Sequence, residues 1–173
     1  ELCRKGQYAS ALRLITEKNP LPFITGTICS HRCQDKCMRN AYDESVYIRQ
    51  QKLKAAEGGF DQLLPKLRPA GRKVAVVGGG PAGMAAAFFL GRAGVDVTVF
   101  ERKDALGGIV RHVIPEFRIS GQAIDNDEKL LRAMGVRVSL NTEVKDVHNL
   151  FTLGYTHVIL ATGAWVYPRV NRL

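Results

Sequence analysis

Apolar and polar positions divide the chain into a helical first part and a longer stretch in which short apolar runs alternate with helical periodicity. Tyr8, Ala11, Leu12 and Ile15 recur at helical spacing within residues 6–18, and Asn19 with Pro20 closes the pattern, which predicts an amphipathic helix. NPLPFITG then reads as turn chemistry at Pro20 and Pro22, followed by a short apolar segment broken by Gly26. Ile48, Leu53, Ala55 and Ala56 stand among charges in residues 45–58, a second helix that Gly58 and Gly59 are expected to stop, with a further short turn over 60–67.

From residue 73 the pattern changes. Val74, Ala75, Val76 and Val77 form an unbroken apolar run, suited to a strand buried on both faces of a parallel sheet. Ala87, Leu90 and Ala93 set the inward face of a helix that Gly94 stops, and Val95, Val97 and Val99 alternate into a second strand ending at Phe100 and Glu101. Ile124, Leu130, Leu131 and Met134 make an amphipathic helix over 121–134, with Gly135 after its end. Residues 136–140 alternate as a strand, 146–153 read as a short helix, and THVILATG, 156–163, reads as another buried strand ending in small residues. The fold class is α/β. LRPAGRK is polar and punctuated by Pro69 and Gly71, so the boundary between domains over 1–68 and 69–173 is placed there.

A length of 173 residues allows one domain or one and a half, and 46% hydrophobic composition is ordinary for a globular core. No apolar run approaches membrane-spanning length and ELCRKGQYAS is no secretory signal, so no membrane span and a cytoplasmic location are expected. The sequence begins without Met and stops shortly after a strand, and is expected to be a piece of something longer. Its net charge of +9 comes from basic residues scattered without interleaved aromatics, which reads as a solvated surface and not as a nucleic-acid face. No hydrolytic motif or paired carboxylate set is present; His112 and His157 read as structural or surface residues, Arg111 and Arg118 as solvated in preference to facing an anionic ligand.

The candidate chemistry begins at the glycines. Gly78, Gly80 and Gly83 give G-x-G-x-x-G directly after the first strand, and Glu101 follows Gly78 by 23 residues, close to the ~20 expected between a phosphate turn and a ribose-binding acid. Gly78 makes the tight turn, Gly80 lets backbone approach a pyrophosphate, and Gly83 permits close helix packing. The amides near Ala82, Gly83 and Met84 offer donors and a positive dipole; Pro81 has no amide but suits a first helical position. Glu101 would repel a 2′-phosphate, so FAD or NAD is favoured over NADP here. Leu106, Gly107 and Gly108 suggest backbone passing close to a ligand or another strand, and Ala161, Thr162 and Gly163 let a ligand lie against backbone at the carboxyl end of the sheet.

Cys29, Cys33 and Cys37 are spaced C-x3-C-x3-C. On a helix they would share nearly one face, and in a turn they would stay close enough for one centre, so they read as metal ligands ahead of a disulfide framework. Zinc, with His31 or Cys3 completing four ligands, and an iron–sulfur cluster with a further thiolate both fit the spacing; Cys3 by itself reads as a helix-adjacent residue.

GGGPAG with Glu101, then LGG, then IPEFR, then ATGA form an ordered series that resembles the FAD domain of the two-dinucleotide-binding flavoproteins, in the pyridine nucleotide-disulphide oxidoreductase superfamily. Among these the chain is similar to the glutamate synthase small-chain group, which includes the flavoprotein part of dihydropyrimidine dehydrogenase. NPLPFITGTICSHRCQDKCMRN is similar to that group's cysteine segment, which helps bind 4Fe–4S clusters, and the continuation through NAYDESVYIR is similar to subunits of the selenate reductase type.

The resemblance implies a ferredoxin-like iron–sulfur domain followed by the first segment of a Rossmann-like FAD-binding domain. It implies an electron chain from NAD(P)H through FAD to clusters and on to a redox partner or subunit. Gly78, Gly80, Pro81, Ala82, Gly83, Glu101 and Arg102 match positions around the adenosine and pyrophosphate of FAD; Leu106, Gly107, Gly108, Ala161, Thr162 and Gly163 match later FAD contacts; Cys29, Cys33 and Cys37 match cluster ligands. The departures are specific. The group's upstream cysteine run is absent, Lys52 stands where some members place a Glu or Gln ligand, and neither a second G-x-G-x-x-G for NAD(P)H nor the returning FAD segment follows. The isolated chain is therefore expected to lack complete clusters and turnover. The other reading of the residues is a non-catalytic, zinc-held helical module attached to an NAD-binding unit.

Overall fold

The computed structural model describes residues 1–62 and 71–164, so the boundary expected at 68/69 and most of the turn expected over 60–67 lie outside the described residues. The first helix, α1 (Tyr8–Thr16), buries Ala11 and Leu12 and leaves Leu14 exposed, as its periodicity predicts.

The segment read as a turn and a short apolar stretch is instead a helix, α2 (Pro22–Ile28). Pro22 occupies its first position, where the missing amide has no intrahelical partner to lose. Two short pieces follow, α3 (Arg32–Asp35) and a single turn at Met38–Ala41, and then the long α4 (Ile48–Gly59), which starts three residues later than its apolar pattern suggests. Gly26 lies inside α2 because a Cβ there would come within 3.0 Å of the Leu53 Cβ on α4. Gly58 and Gly59 do not end α4 but lie in its last turn. A Cβ at Gly58 would meet the Tyr8 ring at 2.6 Å and one at Gly59 the Tyr8 carbonyl at 2.6 Å, so both glycines let α1 cross α4 closely.

The α/β part follows the alternation expected: β1 (Lys73–Val77), α5 (Pro81–Arg92), β2 (Asp96–Phe100), α6 (Ile109–His112), α7 (Gly121–Ala133), β3 (Arg137–Ser139), α8 (His148–Thr152) and β4 (His157–Leu160). The four strands are parallel, in the order β3-β2-β1-β4, with Val76 opposite Val99 on one side and Ile159 on the other. Strand order reverses direction at β1, which opens a crevice between the carboxyl ends of β1 and β4.

Residues 74–77 of β1 are all apolar because both faces of the strand are covered: Val76 joins a large core with α2, α5 and α7, while Ala75 and Val77 join a smaller one with Leu150 and Tyr155. For the same reason β2 does not alternate in burial, and Thr98 is buried between Val97 and Val99. The inward face of α5 is Met84, Ala87, Phe88 and Gly91. Leu90 is only half-buried and Ala93 is exposed, because the sheet meets the 84-87-88-91 stripe. β4 is not the buried strand expected: Val158 and Ile159 are half-buried and Leu160 is 64% exposed, since among the described strands it pairs only with β1.

One core runs through both parts. Leu12, Phe23 and Ile24 from the helical part share a cluster with Met84, Phe88, Ile124 and Leu131 from the α/β part. Arg92 at the end of α5 donates to the Thr16 carbonyl at the end of α1 at 2.8 Å, a second tie between the parts.

Candidate functional site

The glycine turn sits at the reversal of strand order. Gly78 has φ +109° and donates its amide to the Phe100 carbonyl at 2.8 Å, and a Cβ there would lie 2.3 Å from the Ala161 carbonyl. Only glycine fits between β1 and the end of β4. Gly83 is as closely confined: its Cβ would lie 1.9 Å from the Gly78 carbonyl, so the first turn of α5 rests on the turn that precedes it. Gly80 is different. Its φ of −74° suits any residue, and a Cβ there would meet only the Gly108 Cα at 3.8 Å. The space before Gly80 is open, a cradle that a side chain would fill, and it fits the close approach of a pyrophosphate.

Pro81 is the first residue of α5, and Met84 donates to the Gly80 carbonyl at 2.9 Å. The Met84 amide therefore belongs to the helix ladder, which corrects its assignment as a phosphate donor. Ala82 and Gly83 precede the first ladder bond, and their amides face the open end of the helix dipole.

Glu101 is buried, 8% exposed, beyond β2. One carboxylate oxygen accepts the Gly79 amide at 2.7 Å and the other the Lys103 amide at 2.9 Å. A carboxylate has about four acceptor sites, so two amides leave room for a ribose hydroxyl. Beside Glu101 lies a cavity of about 140 Å³. Val77, Phe100 and Val144 give it apolar walls; Glu101, Arg102, Thr142, Glu143 and Thr162 give it polar ones. A cavity with apolar walls and polar groups that include the Glu101 carboxylate fits an adenine and its ribose.

Leu106, Gly107 and Gly108 come beside the turn as their composition suggests. Gly107 donates to the Gly79 carbonyl at 2.8 Å, and a Cβ on Gly108 would lie 2.8 Å from the Gly80 Cα. Arg111, read from sequence as solvated, is a clamp: its Nε donates to the Leu106 carbonyl at 2.6 Å and its guanidinium pairs with Asp125 on α7. Arg118, His112 and His157 are exposed. After β4, Ala161 donates to the Val77 carbonyl at 2.8 Å, Thr162 lines the cavity, and Gly163 has φ +72°.

Two residues were missed in the sequence. A Cβ on Gly79 would lie 2.3 Å from Leu106 Cδ2 and 3.0 Å from Glu101 Oε2, so the central glycine is crowded as Gly78 is; the GGG run was its signal. The other is Asp127, fully buried on α7, whose carboxylate accepts the amides of Phe23 at 3.1 Å and Ile24 at 2.7 Å. Burial pushes its carboxyl up to about 7, against the smaller opposite pull of the two amides.

The cysteine segment is not one helix. Cys29 caps the C-terminus of α2 in extended backbone, Cys33 lies in α3, and Cys37 precedes the 38–41 turn, again extended. Among the described residues, no group of three or more His, Cys, Asp or Glu side chains converges to hold a metal, so the three thiols do not form one self-contained centre. All four cysteines are free; Cys3 lies against α4 with its Sγ 3.7 Å from the Gln51 carbonyl. The segment still carries features suited to an anionic sulfur ligand. Amide hydrogen bonds from Val46 and Arg39 hold the Cys37 thiol below its ordinary range, with the Arg39 guanidinium adding to them. His31 Nδ1 and Gln34 Oε1 are buried without a partner among the described residues. The residues present thus offer thiols and unsatisfied polar groups, but an incomplete ligand set.

Fold and site together define a Rossmann-like α/β unit joined to a cysteine-bearing helical segment. Residues 72–171 match the pyridine nucleotide-disulphide oxidoreductase family, and the chain belongs to it. Residues 1–59 match the family described as dihydropyrimidine dehydrogenase domain II, 4Fe-4S cluster. The chain is 43% identical over 163 residues to the oxidoreductase YgfK of Escherichia coli strain K12, covering 91% of this chain and 16% of that protein. It is 36% identical over 170 residues to the NADPH glutamate synthase small chain of Mycobacterium tuberculosis, covering 95% of this chain and 35% of the relative. To the beta subunit of the NADP(+)-dependent formate dehydrogenase of Moorella thermoacetica it is 30% identical, over 97% of this chain and 28% of that one. The chain thus spans about a third or less of these relatives.

Proposed function

We propose that this chain is the FAD-anchoring and cysteine-bearing part of a larger NAD(P)H oxidoreductase, in which electrons pass from NAD(P)H through FAD to 4Fe–4S clusters and on to a redox partner or subunit. The observation that carries the reading is the open cradle before Gly80, set beside the Glu101 cavity at the reversal of strand order. When bound, FAD accepts two electrons together and releases them singly, which suits it to stand between a hydride donor and clusters.

The chain's own residues bind and orient. The Ala82 and Gly83 amides with the α5 dipole hold the pyrophosphate, and Gly80 lets it approach. Glu101 accepts from the adenosine ribose, and Val77, Phe100 and Val144 enclose the adenine, with Arg102 at the rim. Leu106, Gly107 and Gly108 on one side and Ala161, Thr162 and Gly163 on the other confine the cofactor against backbone. Cys29, Cys33 and Cys37 serve as ligands to clusters completed by other segments of the protein, which accords with their failure to converge on one centre here.

The helical domain is taken to end near residue 68. No helix among the described residues is long and apolar enough to cross a membrane; we place the protein in the cytoplasm, where NAD(P)H is available. The final acceptor, selenate or another oxidant, is set by parts of the protein outside this chain. The test is cofactor analysis of the full-length protein purified without oxygen. Extractable FAD with iron and acid-labile sulfide supports the reading; zinc with no flavin overturns it in favour of a non-catalytic NAD-binding module.

A further inference from the structure

Helix α7 carries two acidic residues on opposite sides. Asp125 and Asp127 are two positions apart, about 200° around a helix. Asp125 pairs with Arg111, which holds the Leu106 carbonyl at the start of the glycine loop packed against Gly79 and Gly80. Asp127 points the other way, into the core shared by both parts, and receives the first two interior amides of α2 from Phe23 and Ile24.

These amides have no partner within α2, because the first amides of any helix lack an intrahelical acceptor. No side chain of α2's own N-terminal flank caps it. The cap comes from a residue 103 to 104 positions away in the sequence. α2 is short and ends directly at Cys29, about 7–8 Å along the axis from Ile24 at 1.5 Å per residue. The Cys29 carbonyl is held from the other side by Arg49 of α4 at 3.1 Å. Movement of the α2 N-terminus therefore transmits to the first cysteine of the C-x3-C-x3-C segment.

We propose that Asp127 is a positioning residue that fixes α2, and through it Cys29, on the same helix that braces the glycine loop of the dinucleotide site. α7 is then the common frame for the cysteine segment and the FAD turn. The proposal extends the functional reading above, and its cluster-loading consequence rests on that reading; the frame itself does not. Each carboxyl oxygen of Asp127 takes one of the two amides, so both oxygens serve as acceptors. An Asn amide offers one acceptor and turns its NH2 against the other amide.

The test uses the full-length protein, with Asp127→Asn compared with Glu128→Gln, a change on α7 outside both contacts. Backbone hydrogen exchange is read by peptide over residues 21–29, alongside FAD and iron per chain. The expected result is at least tenfold faster exchange over 21–29 in Asp127→Asn, with lower iron and retained FAD, and no change in Glu128→Gln. Wild-type exchange over 21–29 in Asp127→Asn overturns the proposal. If Asp127→Asn does not fold, the wild-type protein decides: the Phe23 and Ile24 amides should be as protected as those of β1, and rapid exchange there overturns it. Wild-type protein without iron or flavin defeats the functional reading, while the exchange data still decide the frame.

Discussion

The carboxylate of Glu101 grips the Gly79 amide at 2.7 Å while its other oxygen takes the Lys103 amide at 2.9 Å, so the acid proposed to take the ribose also locks the glycine turn to the end of β2. Glu101→Gln keeps the shape but sets an NH2 against one of the two amides. A buried donor left unpaired costs about 1–3 kcal/mol, so the variant should be less stable by that order and bind FAD more weakly. Chemical denaturation and an FAD titration read both effects; wild-type stability in Glu101→Gln would contradict the anchoring role.

Gly80 and Gly83 should separate binding from folding. Gly80→Ala has open space and ordinary backbone, so its stability should stay within about 0.5 kcal/mol of wild type while FAD affinity falls at least about tenfold. Gly83→Ala drives a Cβ into the Gly78 carbonyl and should destabilise by about 1–3 kcal/mol or more. Thermal melts with and without FAD report the pair; equal destabilisation of both variants would argue against the cradle.

Cys37 should be reactive in metal-free protein. Amide donors from Val46 and Arg39 favour its thiolate, so the thiolate persists to lower pH than in an ordinary cysteine. Alkylation followed by mass spectrometry across pH should give a midpoint for Cys37 below the ordinary thiol value. A midpoint at or above that value would remove the argument that this position is prepared for an anionic sulfur.

Asp127 should leave a signature in the pH dependence of stability. Its folded pKa near 7 lies above the unfolded value of 3.8, so the folded state holds a proton that the unfolded state releases between those values. Stability from this group is present in full below the unfolded value and is lost as pH rises through about 7. The stability of wild type relative to Asp127→Asn should fall from pH 4 to 7 and level off above it, as urea denaturation at intervals across that range will show. A difference that does not vary with pH would mean that Asp127 titrates alike in both states.

Local patterns made much of this legible. Helices α1 and α7, strands β1 and β2, and the turn residues Gly78, Gly80 and Gly83 follow from periodicity and spacing that act over a few residues. What escaped depends on contacts between distant segments. Gly26, Gly58 and Gly59 looked like helix breakers, yet they are close-approach points for Leu53 and Tyr8. Arg111 looked solvated because its partners, the Leu106 carbonyl and Asp125, are fixed only by the fold. Asp127 sits among charged residues of an amphipathic helix, and nothing in its neighbourhood announces that it caps α2 a hundred residues earlier. The cysteine spacing suggested one helical face, but the extended backbone at Cys29 and Cys37 breaks it.

The central claim is that this chain anchors FAD in an electron path from NAD(P)H to iron–sulfur clusters. An anaerobic titration of the full-length protein with NADPH and with NADH, following flavin bleaching and the cluster signal by electron paramagnetic resonance in one sample, tests it most directly. The flavin should bleach with at least one of the two nucleotides, accompanied by a reduced-cluster signal. Full-length protein that holds neither flavin nor cluster, or flavin that stays oxidised with both nucleotides, would contradict it.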